Sequence, residues 1–149
     1  MMNRRRGRIF LIIGALVVLV VIVGVLRTSL DAEKRIFSMV KVRQIIYEQV
    51  ARQLLEDGEV LEIDDIESIY FFDGEHKMVE FMIDGDGVIP PAPYYGFYYS
   101  PDDVPLAFQN INVSLTEYAE NEWKWTAEGD NHGITKKIIN RWYYFEASL

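Results

Sequence analysis

The sequence predicts an α+β fold: an N-terminal transmembrane helix, then one amphipathic helix packed on a four- to five-stranded antiparallel sheet. Three observations lead to this prediction. They are an uncharged apolar run near the N-terminus, a helical spacing of apolar residues after it, and β-branched and aromatic runs separated by turn residues. A chain of 149 residues has room for one domain besides a membrane segment.

The predicted transmembrane helix spans residues 9–26, which contain no charged or strongly polar side chain. A helix of these eighteen residues is about 27 Å long, close to the thickness of a bilayer core at about 30 Å. A cleaved signal peptide is the alternative. The run is longer than the usual apolar region of about 7–15 residues, and residues 27–32 form a poor cleavage site. We therefore predict a retained signal anchor.

The distribution of arginines predicts the orientation of this anchor. Residues 1–8 carry four arginines and form a basic tail that is expected to stay in the cytoplasm. Basic residues also follow the apolar run, but the cluster Arg4–Arg6 on so short a tail is the harder one to translocate. Residues 27–149 then form an extracytoplasmic domain of a single-pass protein in the cell membrane. The absence of cysteine from this exported domain favours a bacterial source.

Charge is divided unequally along the chain, whose formal net charge is −8. Residues 1–30 carry five arginines and no acid, whereas the remaining 119 residues carry 10 basic and 23 acidic side chains, a net charge of −13. This balance argues against nucleic acid as a partner and favours an envelope protein with a basic surface. The lack of cysteine excludes disulfides, thiolate metal sites and cysteine nucleophiles.

An amphipathic helix is predicted at residues 31–57, with Gly58 as its stop signal. The apolar positions that recur at a helical spacing are Ile36, Met39, Val40, Ile46, Val50, Leu54 and Leu55. We expect this stripe to lie against the sheet of its own chain. Pairing with a second copy as a coiled coil is the alternative, but the stripe lasts too few heptads.

Five strands are predicted after the helix, with residues 104–117 left ambiguous. They are Ile66–Phe72, Lys77–Ile83, Tyr94–Tyr99, Glu122–Ala127 and Ile134–Phe145. Asp73-Gly74 predicts a type I′ turn between the first two strands, and residues 129–133 predict a hairpin loop. Prolines at 90, 91 and 93 indicate an extended connector before the third strand.

Aromatic residues supply the candidate binding surface. Successive side chains of a strand point to opposite faces, so these rings cannot all enter one core. Stabilisation of the sheet by cross-strand pairs is the favoured role, and the exposed remainder is predicted to contact a partner. The candidate residues are Tyr94, Tyr95, Phe97, Tyr98, Tyr99, Trp123, Trp125 and Trp142.

No metal site or catalytic residue is predicted, and no cofactor. Asp84 and Asp86 offer oxygen ligands, but the spacing after them fails the EF-hand pattern, so a solvated acidic turn is favoured over a calcium site. A triad of Ser100 or Ser114 with His132 and Asp130 lacks a nucleophile motif. Two histidines alone are too few for a zinc site.

These observations predict an accessory or binding domain, tethered to the membrane, that contacts another envelope component through its aromatic-rich sheet face. The alternative is a hydrolase of envelope peptide or glycan that uses carboxylates or His132. The sequence leaves the oligomeric state open.

Overall fold

The computed structural model describes residues 32–83 and 93–149. The predicted transmembrane helix at 9–26 and the acidic turn of Asp84 and Asp86 lie outside these residues. Within the described ranges, none of the helices combines the length and apolar character that crossing a membrane requires. The contacts that follow all lie within one compact unit, Ile36–Leu149.

One long helix, α1, covers residues 32–57 and agrees with the predicted helix. Its buried side chains recur at a helical spacing, as the predicted stripe requires. They are Ile36, Val40, Tyr47, Val50, Ala51 and Leu54. Ile46, predicted to face the sheet, is half exposed, and the neighbouring Tyr47 is buried in its place. The helix ends as predicted, because Gly58 adopts φ +73° and its N–H donates to Leu54 O at 3.2 Å.

The sheet has seven strands, so the prediction of four or five was wrong. The strands are β1 Ser68–Asp73, β2 Lys77–Ile83, β3 Tyr94–Tyr99, β4 Thr116–Ala119, β5 Glu122–Thr126, β6 His132–Ile139 and β7 Trp142–Ser148. Their order is β1-β2-β3-β7-β6-β5-β4, and all neighbours are antiparallel. The predicted α+β class, with a helix packed on an antiparallel sheet, is confirmed.

Two tight turns account for the additional strands. The run predicted as one strand at Ile134–Phe145 folds back at Arg141, which adopts φ +67°, and becomes β6 and β7. Asn121 adopts φ +62° at the equivalent place between β4 and β5. In both hairpins the register shifts just before the turn, which is typical of a turn closed by a left-handed residue and a bulge. Neither turn contains the glycine that usually marks such a position.

The β1–β2 turn also differs from the prediction. Asp73 pairs with Lys77, so the loop has three residues rather than a two-residue type I′ turn. Among the described glycines only Gly58 and Gly129 have positive φ, so Gly74 is not needed for left-handed backbone. The close approach of the Asn110 side chain accounts for a glycine at this position instead, because a Cβ at Gly74 would lie 2.6 Å from Asn110 Nδ2.

The sheet has a core on each face. On the face that packs against α1, here called the helix face, Tyr47 contacts three rings of the sheet. On the opposite face, the cover face, residues 104–115 lie across the strands, with a short 3-10 turn at Phe108–Asn110. We call residues 104–115 the cover segment. Most of the region that was ambiguous in sequence, residues 104–117, therefore covers the second core.

Candidate contact surface

The eight aromatic residues predicted to form a contact surface lie mostly inside the fold. Five are buried: Phe97, Tyr98, Tyr99, Trp125 and Trp142. Tyr95 and Trp123 are partly buried, and Tyr94 is 39% exposed while its ring stacks on Phe108. Both faces of the sheet are covered, so alternate side chains enter two different cores. These eight rings therefore do not assemble into one exposed face.

Ring pairs between neighbouring strands give the buried aromatics a structural role. Phe81 and Phe97 stack with centroids 4.8 Å apart on the helix face, and Tyr98 and Tyr143 stack at 5.1 Å on the cover face. Cross-strand aromatic pairs of this kind stabilise a sheet by about 0.5–1.5 kcal/mol beyond the area that they bury.

The side chains considered for a catalytic triad, Ser100 and His132, are not brought together. Ser100 is buried beside the turn that precedes β7, and its Oγ accepts a hydrogen bond from Val104 N at 3.2 Å. His132 lies at the opposite end of β6, a separation of roughly 23 Å along the strand. His132 Nδ1 lies 2.6 Å from Asp130 O rather than from its carboxylate. In the described ranges no three His, Asp or Glu side chains group as a metal site would require.

The outer edge of β1 is the most distinctive exposed feature of the described domain. β1 ends the sheet, so its outward N–H and C=O groups have no neighbouring strand within the described residues. Tyr70 is 47% exposed and lies on the cover face, whereas Phe71 is 38% exposed and lies on the helix face, with Lys77 Nζ 5.9 Å from its ring centre. Aromatic surface thus flanks the open edge on both sides.

Acidic residues surround this edge in the sequence. Residues 53–76 contain nine aspartates and glutamates and no lysine or arginine. Asp65 pairs with Arg43 of α1 at 3.3 Å, and both side chains are largely solvated. Val60 and Leu61, in the connection to β1, are exposed as well. The β1 edge therefore combines exposed apolar groups with a strongly negative neighbourhood.

The opposite edge of the sheet, β4, has a different character. Its four residues are all exposed, and its register shifts between Glu117 and Ala119, which bends the edge away from regular pairing. Tyr118 donates a hydrogen bond at 2.8 Å to Glu122 of the neighbouring strand β5, and Glu122 also pairs with Lys136 of β6 at 3.4 Å. Such an edge is protected against added strands in a way that β1 is not.

A polar cluster that the sequence did not reveal fixes the start of the cover segment. Asp103 adopts φ +56°, and its carboxylate accepts hydrogen bonds from Lys137 Nζ and Arg141 N at 2.7 Å and from Tyr143 Oη at 3.0 Å. Burial acts to raise the pKa of Asp103, but these donors outweigh it and the pKa is lowered. Nothing in the sequence indicated this cluster, because the partners of Asp103 are more than thirty positions away.

A second group that the sequence did not reveal, Glu80, lies beneath the cover segment. It occupies the middle of β2, has no exposed surface, and accepts a hydrogen bond from Gln109 N to Oε2 at 2.9 Å. Burial raises the pKa of Glu80 to about 7, and the Gln109 hydrogen bond limits the rise. In sequence Glu80 falls within the predicted strand Lys77–Ile83, and nothing in that strand indicated its burial.

No protein-family model, curated protein or solved structure matches this chain.

Proposed function

We propose that the chain is a membrane-tethered binding domain whose β1 edge contacts a basic segment of another envelope protein. One observation carries the proposal: the two edges of the sheet differ in the way a contact edge and a protected edge differ. β1 has open backbone groups, two exposed rings and an acidic surrounding. β4 has a bulge, and Glu122 on the strand beside it is paired with Lys136.

Addition of a strand to an exposed edge supplies main-chain hydrogen bonds, and side chains on the two faces supply selectivity. Tyr70 and Phe71 offer apolar contacts on opposite faces of β1. The nine acids of residues 53–76 attract a cationic segment and speed its encounter with the edge. The expected partner segment is extended, apolar at alternate positions and rich in lysine or arginine.

The tether belongs to the same proposal. The apolar run 9–26 holds the domain at the outer face of the cell membrane, where a high local concentration compensates for a small contact area. A reporter fused after Leu149 tests the orientation. Activity of a reporter that works only outside the cytoplasm supports the proposal, and activity of a cytoplasmic reporter contradicts it.

Two tyrosines provide a matched test of the contact. Tyr70 on β1 and Tyr118 on β4 are each 47% exposed on an edge strand. A photo-crosslinking amino acid is placed at one position or the other in the full-length chain in its native membranes. We expect crosslinks from position 70, to a segment of net positive charge, and few from position 118. Equal yields from both positions, or a crosslinked segment without basic residues, would contradict the proposal.

Charge variants test the contribution of the acidic side chains separately from that of the aromatic rings. Neutralising Glu62, Asp64 and Glu67 to the matching amides is expected to lower the crosslinking rate at position 70 about tenfold at low salt. Neutralising Glu120, Glu128 and Asp130, which are also exposed, serves as the control and leaves the rate unchanged. Similar losses from both triple variants would show that net charge alone matters.

A further inference from the structure

Glu80 is a carboxyl group buried without a cation. It shares the cover face with its two cross-strand neighbours, Tyr70 of β1 and Tyr98 of β3. The cover segment that lies over it contains no Asp, Glu, His, Lys or Arg. Burying a charged carboxylate in such a place is costly, because no opposite charge among the described residues pairs with it.

The hydrogen bonding of Glu80 is incomplete. Oε2 accepts the Gln109 N–H, but Oε1 has no hydrogen-bond partner within the described residues. Gln109 and Asn110 both adopt φ +53°, a left-handed conformation that asparagine tolerates but that is unfavourable for glutamine. The Asn110 side chain donates to His76 O at 2.8 Å and so attaches this strained turn to the β1–β2 loop. An uncompensated carboxyl group and a strained turn therefore meet at one point of the cover.

We propose that Glu80 is a proton-controlled switch: the cover segment is held closed over the sheet when Glu80 is protonated, and it loosens when Glu80 ionises. Opening brings water to the carboxylate, relieves the left-handed turn and exposes Met78, Met82 and Phe145 of the cover face. The switch thus changes which surface an extracytoplasmic domain presents as the external pH changes. It does not depend on the partner proposed for β1.

The direction of the pH dependence follows from the pKa of Glu80, which is about 7 when the cover segment is closed and 4.5 when the carboxyl group is solvated. The closed state binds the proton more tightly, so its stability is complete below pH 4.5 and falls as the pH rises towards 7. A difference of this size makes opening about 80-fold more favourable at pH 7 than at pH 4.5, and about 300-fold more favourable at the alkaline limit than at the acidic limit. Above pH 7 both states are ionised and the effect levels off.

Other titratable groups near Glu80 are few. Burial raises the pKa of Tyr98 further above its ordinary value of 10.0, so Tyr98 stays neutral over this range. Tyr143, which stacks on Tyr98, also has a raised pKa because of burial and the nearby Asp103. His76 pairs with Asp102 at 3.0 Å beside the loop that Asn110 holds, so a change in this pair would also reach the strained turn. His76 is therefore the control.

Amide hydrogen exchange of the full-length chain in a neutral lipid nanodisc tests the switch. Six backbone amides of the cover segment have defined acceptors: those of residues 104, 106, 109, 110, 111 and 113. Their protection factors, corrected for intrinsic exchange, are expected to fall about 70-fold between pH 5 and pH 8. Amides of α1 at residues 47–54 are expected to change little and serve as the internal reference.

Two variants test whether Glu80 or His76 causes the pH-dependent fall in protection. Glu80→Gln keeps the shape and removes the titration, so the protection of the cover segment is expected to become independent of pH. His76→Gln keeps the backbone carbonyl that Asn110 uses, so the fall of the wild-type chain is expected to persist. Flat protection in the wild-type chain, a fall that survives Glu80→Gln, or a fall that disappears in His76→Gln would each overturn the proposal. If Glu80→Gln fails to fold, the wild-type and His76→Gln profiles still decide it.

Discussion

The two faces of the sheet are covered by different means. On the helix face, α1 satisfies its own backbone groups and contributes apolar side chains such as Tyr47 and Val50 to the core. On the cover face, the cover segment has only one short 3-10 turn, and polar side chains of the sheet and its loops bind its backbone. Leu106 N donates to Tyr98 Oη at 2.7 Å, and Gln109 N donates to Glu80.

This difference shows what an irregular cover requires. Buried N–H groups need acceptors, and a segment without a helix or strand ladder must find them in side chains. The cover face therefore contains Glu80, Tyr98 and Thr135 among its buried residues, with Tyr98 Oη 2.8 Å from Thr135 Oγ1. We expect the helix face to respond mainly to changes in volume and the cover face to changes in hydrogen bonding and charge.

The largest expected effect comes from removing a ring on each face. Phe97→Ala opens a cavity among Tyr47, Phe81 and Trp142 and is expected to lower the free energy of unfolding by about 3–5 kcal/mol. Phe108→Ala removes a buried ring of the cover segment, which can detach while the sheet and α1 persist, so its global cost is expected to be smaller. Urea unfolding followed by circular dichroism measures both. Equal losses would show that the two covers unfold as one unit.

A smaller effect is expected at Asp103. Asp103→Asn keeps a residue that tolerates left-handed backbone but loses charge-assisted hydrogen bonds from Lys137 and Arg141, which should cost about 1–2 kcal/mol. Asp102→Asn is the matched neighbour. Asp102 is more exposed and pairs with His76, so its loss should cost less than about 0.5 kcal/mol. A comparable cost at both positions in urea unfolding would contradict the role of the Asp103 cluster.

The effect of Asp103 also has a defined pH dependence. Its pKa in the folded chain lies below the ordinary value of 3.8, so its contribution to stability is present above pH 3.8 and is lost as the pH falls through the folded pKa. The difference between wild type and Asp103→Asn should therefore shrink at pH 3. This direction is opposite to that expected for Glu80, so the two groups are distinguishable in one pH series.

The smallest effect is expected on the outer side of α1. Ile45 is 76% exposed in the single chain, so Ile45→Gln should change the free energy of unfolding by less than about 0.5 kcal/mol. Urea unfolding at two protein concentrations measures it. A larger, concentration-dependent loss would show that this outer side of α1 pairs with a second copy.

Periodicity predicted the regular half of the fold. The helical spacing located α1 and its end at Gly58, and apolar and aromatic runs bounded by turn residues located β2 and β3 at their observed bounds. The β6–β7 turn was missed because Arg141 takes the left-handed position that sequence analysis assigns to glycine or asparagine. Its conformation is supported by Asp103, which accepts the Arg141 N–H from a distant part of the chain.

The candidate surfaces were harder to predict than the strands. Clustering of aromatics indicated a surface, but the cover segment has no periodicity and gave no sign that it would bury the second face. The importance of Glu80 depends on what lies above it, and Gln109 is 29 residues away. The open edge of β1 depends on strand order, which composition does not determine.

The central feature of the domain is that Glu80 is buried without a paired cation among the described residues, beneath a cover segment whose backbone is held by polar side chains. The most direct measurement is a titration of the Glu80 side-chain carboxyl carbon by NMR in the full-length chain, with its resonance assigned by comparison with Glu80→Gln. We expect the Glu80 carboxyl group to titrate with a midpoint at about pH 7, displaced from the ordinary value of 4.5 by burial. A midpoint at or below 4.5 would contradict it, because the carboxyl group would then be solvated or paired in the folded protein.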